Sequence, residues 1–136
     1  MLKITITFAL ASILFGIARP ADPPPPLPFN VYGVVEVNGQ PVMENTPVRA
    51  WCNNVQYAEF LAELYEGETW YNLTIPGDDP NVPGLQGCKS GETVTFTIRE
   101  ENIEADQSAV WQSGSTLNLD LSASAEYNLY LPLLAR

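Results

Sequence analysis

From Phe29 onward the apolar residues recur with a period of two. That is the signature of strands with one buried face, and it leaves little room for helices. Phe29, Val31, Val35 and Val37 fall on one side with Gly33 between them, while Asn30, Tyr32, Val34 and Glu36 fall on the other. Val48, Ala50 and Cys52 repeat the pattern, as do Tyr71, Leu73 and Ile75 against Trp70, Asn72 and Thr74. Val94, Phe96 and Ile98 form the cleanest alternation, and Leu117, Leu119 and Leu121 close the series. Asn38-Gly39, Asn53-Asn54 and Glu66-Gly67 separate these runs with hairpin chemistry. Only 55–66 reads at both periods. Tyr57, Phe60, Leu61, Leu64 and Tyr65 would make a helical stripe, whereas Ala58, Phe60, Ala62 and Leu64 would make a strand face. Its β neighbours and flanking hairpin turns favour strand. The expectation is a single all-β domain over 29–122, an antiparallel β-sandwich of about seven strands in the immunoglobulin or prealbumin manner.

Two segments precede that domain. Lys3 and the uncharged run Ile4–Ile17, followed by Gly16-Ile17-Ala18, have the form of a secretory signal peptide over 1–18. At 1.5 Å per residue the apolar run reaches about 21 Å, short of a hydrocarbon core of roughly 30 Å, so cleavage is expected rather than anchoring. No membrane span is expected once the signal is removed. Residues 19–28 hold six of the twelve prolines and read as a semi-rigid polyproline spacer. Residues 123–136 are assigned to a C-terminal tail. It ends in Tyr130-Leu131-Pro132-Leu133, which resembles the ending of some secreted bacterial proteins.

Composition narrows the chemistry. The 136-residue chain has no histidine, 6 Lys and Arg, and 16 Asp and Glu, for a net charge of −10. Histidine-based triads, dyads and zinc sites are excluded. The acidic balance argues against nucleic acid, whose phosphates need clustered cations. Export places Cys52 and Cys88 in an oxidising compartment, where one bridge between them is expected. Closing the loop 52–88 would contribute about 3–4 kcal/mol by the chain-entropy argument.

The run Phe29–Val35 with Val37-Asn38-Gly39-Gln40-Pro41-Val42 and Val48-Arg49-Ala50-Trp51 resembles the opening of a small secreted bacterial and archaeal β-sandwich module. Pro76-Gly77-Asp78-Asp79-Pro80, Gly91–Phe96, Trp111-Gln112-Ser113-Gly114 and Leu117–Leu121 follow in the same order. The architecture is similar to that of the carboxypeptidase-regulatory, or prealbumin-like, group. The resemblance implies a non-catalytic domain of secreted or cell-surface proteins.

Candidate sites are few. Asp78, Asp79 and Asn81 offer oxygens of the kind Ca²⁺ takes, although no EF-hand spacing is present and a solvated acidic loop is the expectation. Paired carboxylates for glycoside hydrolysis would need a cleft that so small a domain leaves little room for, so no enzyme activity is expected. Trp51, Trp70 and Trp111 lie out of phase with, or outside, the apolar runs. If they share an exposed face, sugar rings could stack there, with Tyr32, Tyr57 or Tyr65 adding area; packing within the fold is the competing reading. The expected function is a secreted, non-catalytic structural or interaction module at the cell exterior. A carbohydrate-binding module, with an extracellular protein or polysaccharide as partner, is the alternative.

Overall fold

The computed structural model describes Gly16 and residues 22–126. Gly16 apart, the signal peptide expected over 1–18 lies outside the described residues, as does the Tyr130–Leu133 ending. Ten strands form and no helix does among the described residues. In chain order they are β1 (Phe29–Val37), β2 (Gln40–Pro41), β3 (Pro47–Cys52), β4 (Val55–Leu61), β5 (Glu63–Tyr65), β6 (Glu68–Ile75), β7 (Thr93–Ile98), β8 (Ile103–Val110), β9 (Thr116–Asn118) and β10 (Leu121–Ala123). Six have six or more residues; β2, β5, β9 and β10 have two or three.

They make two sheets. The first runs β10-β1-β6-β5, with β2 and β9 also paired to β1; the second runs β4-β3-β7-β8. The pairing is antiparallel except where β1 meets β9 and β10, which run parallel to it. The inward faces of both sheets meet in one core, whose fully buried members include Val31, Val35, Val48, Leu73, Ile75, Val94, Phe96, Ile98 and Leu121. Two packed sheets over a shared apolar layer are what the period-two pattern requires, since each strand has one face to bury.

The three hairpin dipeptides behave as their chemistry dictates. Asn38-Gly39, Asn53-Asn54 and Glu66-Gly67 all have positive φ at both positions, the twist that matches right-handed strands. The segment 55–66 is strand. It is divided at Ala62, where the chain leaves β4 in one sheet and enters β5 in the other. Ala62 is fully buried and exchanges backbone hydrogen bonds with Thr46 and Asn45, so the crossing is anchored on the segment before β3. Ala58, Phe60, Ala62 and Leu64 keep one inward side through the crossing, since Leu64 stands opposite the buried Thr69.

On the opposite edge, Gln107 of β8 joins the sheets with its side chain. Its Oε1 accepts the Ser122 N–H and its Nε2 donates to Ser122 Oγ, both at 2.8 Å. The packed structure continues past Ser122: Ala123 is buried, and the Ala125 N–H donates to Asn38 Oδ1.

The proline-rich segment does not stand clear of the domain. The Leu27 N–H donates to Ser113 Oγ at 2.8 Å, and the Pro23 carbonyl accepts from Asn81 Nδ2 at 3.0 Å. Pro26 packs over Gly77, where a Cβ would come within 2.8 Å of the proline ring and 2.5 Å of Trp111. Polyproline backbone has few donors of its own, so it docks by offering carbonyls and apolar rings. Residues 23–28 are therefore a strap across one end of the fold rather than a free spacer.

Candidate functional site

The three tryptophans do not share a face. Trp111 is 1% exposed, and its Nε1 donates to the Ile75 carbonyl at 3.1 Å. It belongs to the core beneath the strap and is removed from any exposed aromatic surface. Trp51 lies on the outer face of the β4-β3-β7-β8 sheet, half-buried, with Nε1 donating to Thr97 Oγ1 at 2.8 Å. Trp70 lies on the outer face of the other sheet. The two outer faces point in opposite directions, so Trp51 and Trp70 cannot contact one flat ligand together. Tyr57 is the extra residue of a bulge in β4 and packs half-buried against the core.

Tyr65 and Trp70 do come together, and Tyr32 joins them. Strand register fixes the arrangement. Tyr32 of β1 stands opposite Asn72 of β6; Trp70 stands between Val34 of β1 and Glu63 of β5; Tyr65 stands opposite Glu68. Each ring is displaced by two residues from the next, so the three lie on one diagonal across β1, β6 and β5. Diagonal neighbours on one sheet face are roughly 7–8 Å apart, within reach of aromatic side chains. On its other side Tyr32 faces Asn118 of β9, so its ring sits between two exposed amides. Trp70 Nε1 is buried with no hydrogen-bond partner, which places the nitrogen edge of the indole against the protein.

Alternation in β1 and β6 placed Tyr32, Trp70 and Asn72 on one outward side of their strands. The diagonal was hidden because it depends on which strands become neighbours. β5 pairs with β6 through the Glu66-Gly67 turn, and only that register brings Tyr65 alongside.

Asp78, Asp79 and Asn81 are engaged in holding their own loop. Asp79 Oδ1 accepts the Asn81 N–H at 2.9 Å, Asp78 Oδ1 accepts the Gln86 N–H at 3.2 Å, and Asn81 holds the strap at Pro23. Among the described residues no three Asp, Glu, Cys or His side chains converge as metal ligands would. The same loop carries Cys88, bonded to Cys52 at the end of β3 with a Cα–Cα distance of 5.7 Å. Both cysteines are buried, and backbone bonds from Cys88 to Pro76 and Asp78 tie the loop on either side of the bridge.

Arg49, which sequence reasoning did not single out, gathers Glu59 of β4 and the side chains of the 99–102 turn. Its guanidinium contacts Glu59 at 2.8 Å, Asn102 Oδ1 at 2.7 Å, Glu100 at 3.3 Å and the Arg99 carbonyl at 3.3 Å. The Glu59 carboxylate, and then Glu100, hold the guanidinium pKa above its ordinary value. The group therefore clamps the 99–102 turn to β3 and β4. Beside that turn an open cleft of about 630 Å³ is lined by Val37, Pro41, Val42, Met43, Glu100 and Glu101, among others. It lies at the end of the fold opposite the disulfide.

Compared with known proteins, the chain matches no family model, no curated protein and no solved structure. Among the described residues no helix is long and apolar enough to cross a membrane.

Proposed function

We propose that the chain is a secreted, non-catalytic β-sandwich module of prealbumin-like type that acts as a structural or interaction domain at the cell exterior. The observation that carries this reading is the outer face of the β10-β1-β6-β5 sheet, where a rigid scaffold presents Tyr32, Trp70 and Tyr65 to solvent. The carboxylates and amides of the 76–91 loop and the 99–102 turn support it, because they hold backbone and strap rather than a reacting centre. The buried Cys52–Cys88 bridge is compatible with an oxidising compartment. The order of motifs from Phe29 to Leu121 supports the prealbumin-like resemblance.

Expression of the full chain in a bacterial host with an intact export route tests the reading. The expected product lies outside the cytoplasm, begins at Arg19 and weighs two hydrogens less than its reduced form. A product that stays in the cytoplasm with residues 1–18 attached and two alkylatable thiols would overturn it.

A second reading, a carbohydrate-binding module, is favoured by the same face. Exposed rings flanked by Asn72 and Asn118 combine an apolar plane with donors and acceptors at its edge.

A further inference from the structure

We propose that the outer face of the β10-β1-β6-β5 sheet binds a neutral, flat, β-1,4-linked polysaccharide. Tyr32, Trp70 and Tyr65 stack on its sugar rings, and Asn72 and Asn118 hydrogen-bond its hydroxyls. The inference rests on the carbohydrate-binding reading and assigns the residues and the ligand class.

Three properties of the face select this ligand. The first is shape. The rings form a line across three adjacent strands rather than a pocket, and two diagonal steps extend it to about 15 Å. A line of separated rings on an open sheet matches an extended ribbon with successive ring faces, not a single enclosed sugar. Two concavities of the described residues lie away from this line: the cleft by the 99–101 turn, and one bordered by Phe29, Val110 and Leu117.

The second property is surface chemistry. A pyranose ring has apolar C–H faces and polar hydroxyl edges, the complement of an aromatic plane flanked by amides. Tyr32 is 38% exposed and Tyr65 65%, so both rings are accessible. Trp70 is half-buried with its nitrogen edge covered, so the part of the indole that reaches solvent is carbon surface.

The third is charge. Glu36, Glu63 and Glu68 lie on this face, and none of the described Lys or Arg residues does. In a chain of net charge −10 that field repels uronate or sulfated chains and leaves neutral ones as the occupants.

The test is co-sedimentation of the oxidised protein with microcrystalline cellulose and with chitin, alongside starch and polygalacturonate. Tyr32→Ala, Tyr65→Ala and Trp70→Ala are compared with Trp51→Phe on the opposite face. Retention on cellulose or chitin is expected, weakened roughly tenfold or more by Trp70→Ala and by the Tyr32→Ala/Tyr65→Ala pair, and unchanged by Trp51→Phe. The two tyrosines are exposed, so their removal tests the face even if Trp70→Ala disturbs folding. Retention that survives the double tyrosine variant, or that occurs only on starch or polygalacturonate, overturns the inference while the carbohydrate-binding reading stands. Absence of retention on all four polymers overturns both.

Discussion

At Gly33 a single hydrogen atom decides whether the first sheet closes. A Cβ there would lie 2.5 Å from the Leu119 carbonyl oxygen and 2.8 Å from Asp120 Oδ1. Between β9 and β10 the chain steps past β1 at this point. The Leu119 N–H donates to the Tyr32 carbonyl, and Asp120 Oδ1 accepts the Val34 N–H at 3.0 Å. Gly33→Ala is expected to push this junction away and cost about 2–4 kcal/mol, read as a lower midpoint in denaturant unfolding. Tyr71 completes the junction from below, its hydroxyl donating to the Leu119 carbonyl. Burial, reinforced by the nearby Asp120 charge, raises the Tyr71 phenol above its ordinary value of 10.0. The folded state thus holds that proton more tightly than the unfolded state does. The stabilisation is complete below about pH 10 and declines as pH rises beyond it. Urea unfolding at about pH 8 and about pH 11 should show a loss in the native protein that Tyr71→Phe makes smaller. An equal loss in both would place the alkaline sensitivity elsewhere.

Among the elements, the strap of residues 23–28 has the most direct consequence. Cutting the chain before Phe29 removes the Leu27–Ser113 and Pro23–Asn81 bonds and uncovers Gly77 and Trp111. The shortened domain is expected to lose about 1–3 kcal/mol and to show red-shifted, more quenchable Trp111 emission. Sequence alone could not show this docking. Proline richness reports backbone conformation but not whether a surface exists to receive it, and that surface is assembled from Gly77, Asn81 and Ser113, far apart in the chain. β8 was missed for a related reason. Its inward positions are Ile103, Ala105, Gln107 and Ala109, too small or polar to print an apolar alternation. Where aliphatic residues mark the face, as in β1, β3, β6 and β7, the strands and their inward sides were legible. The hairpin turns were legible because Asn-Gly, Asn-Asn and Glu-Gly carry their backbone preference locally. The aromatic diagonal was half legible, since alternation tells which way a ring points but not which strand will lie beside it.

Over the whole molecule the closures are distributed around the core. Ala62 carries the chain between sheets on one edge, Gln107 bonds across on the other, and Cys52–Cys88 holds the loop end. The bridge spans a sequence separation of 36, so reducing it is expected to lower stability by about 3–4 kcal/mol. Paired unfolding curves with and without reductant measure the difference. An unchanged midpoint would mean that the loop is held by its backbone bonds alone. The parallel pairing of β1 with β9 and β10 has a mechanical consequence. Residue 22 reaches the fold at the disulfide end, where β1 begins, and residue 126 leaves from the end where β1 and β10 both finish. Tension applied between those two residues draws β1 one way and β9 and β10 the other. Their hydrogen bonds are then loaded together in shear instead of opening one after another like a zipper. Pulled between residues 22 and 126, the domain resists force along the direction of its own strands.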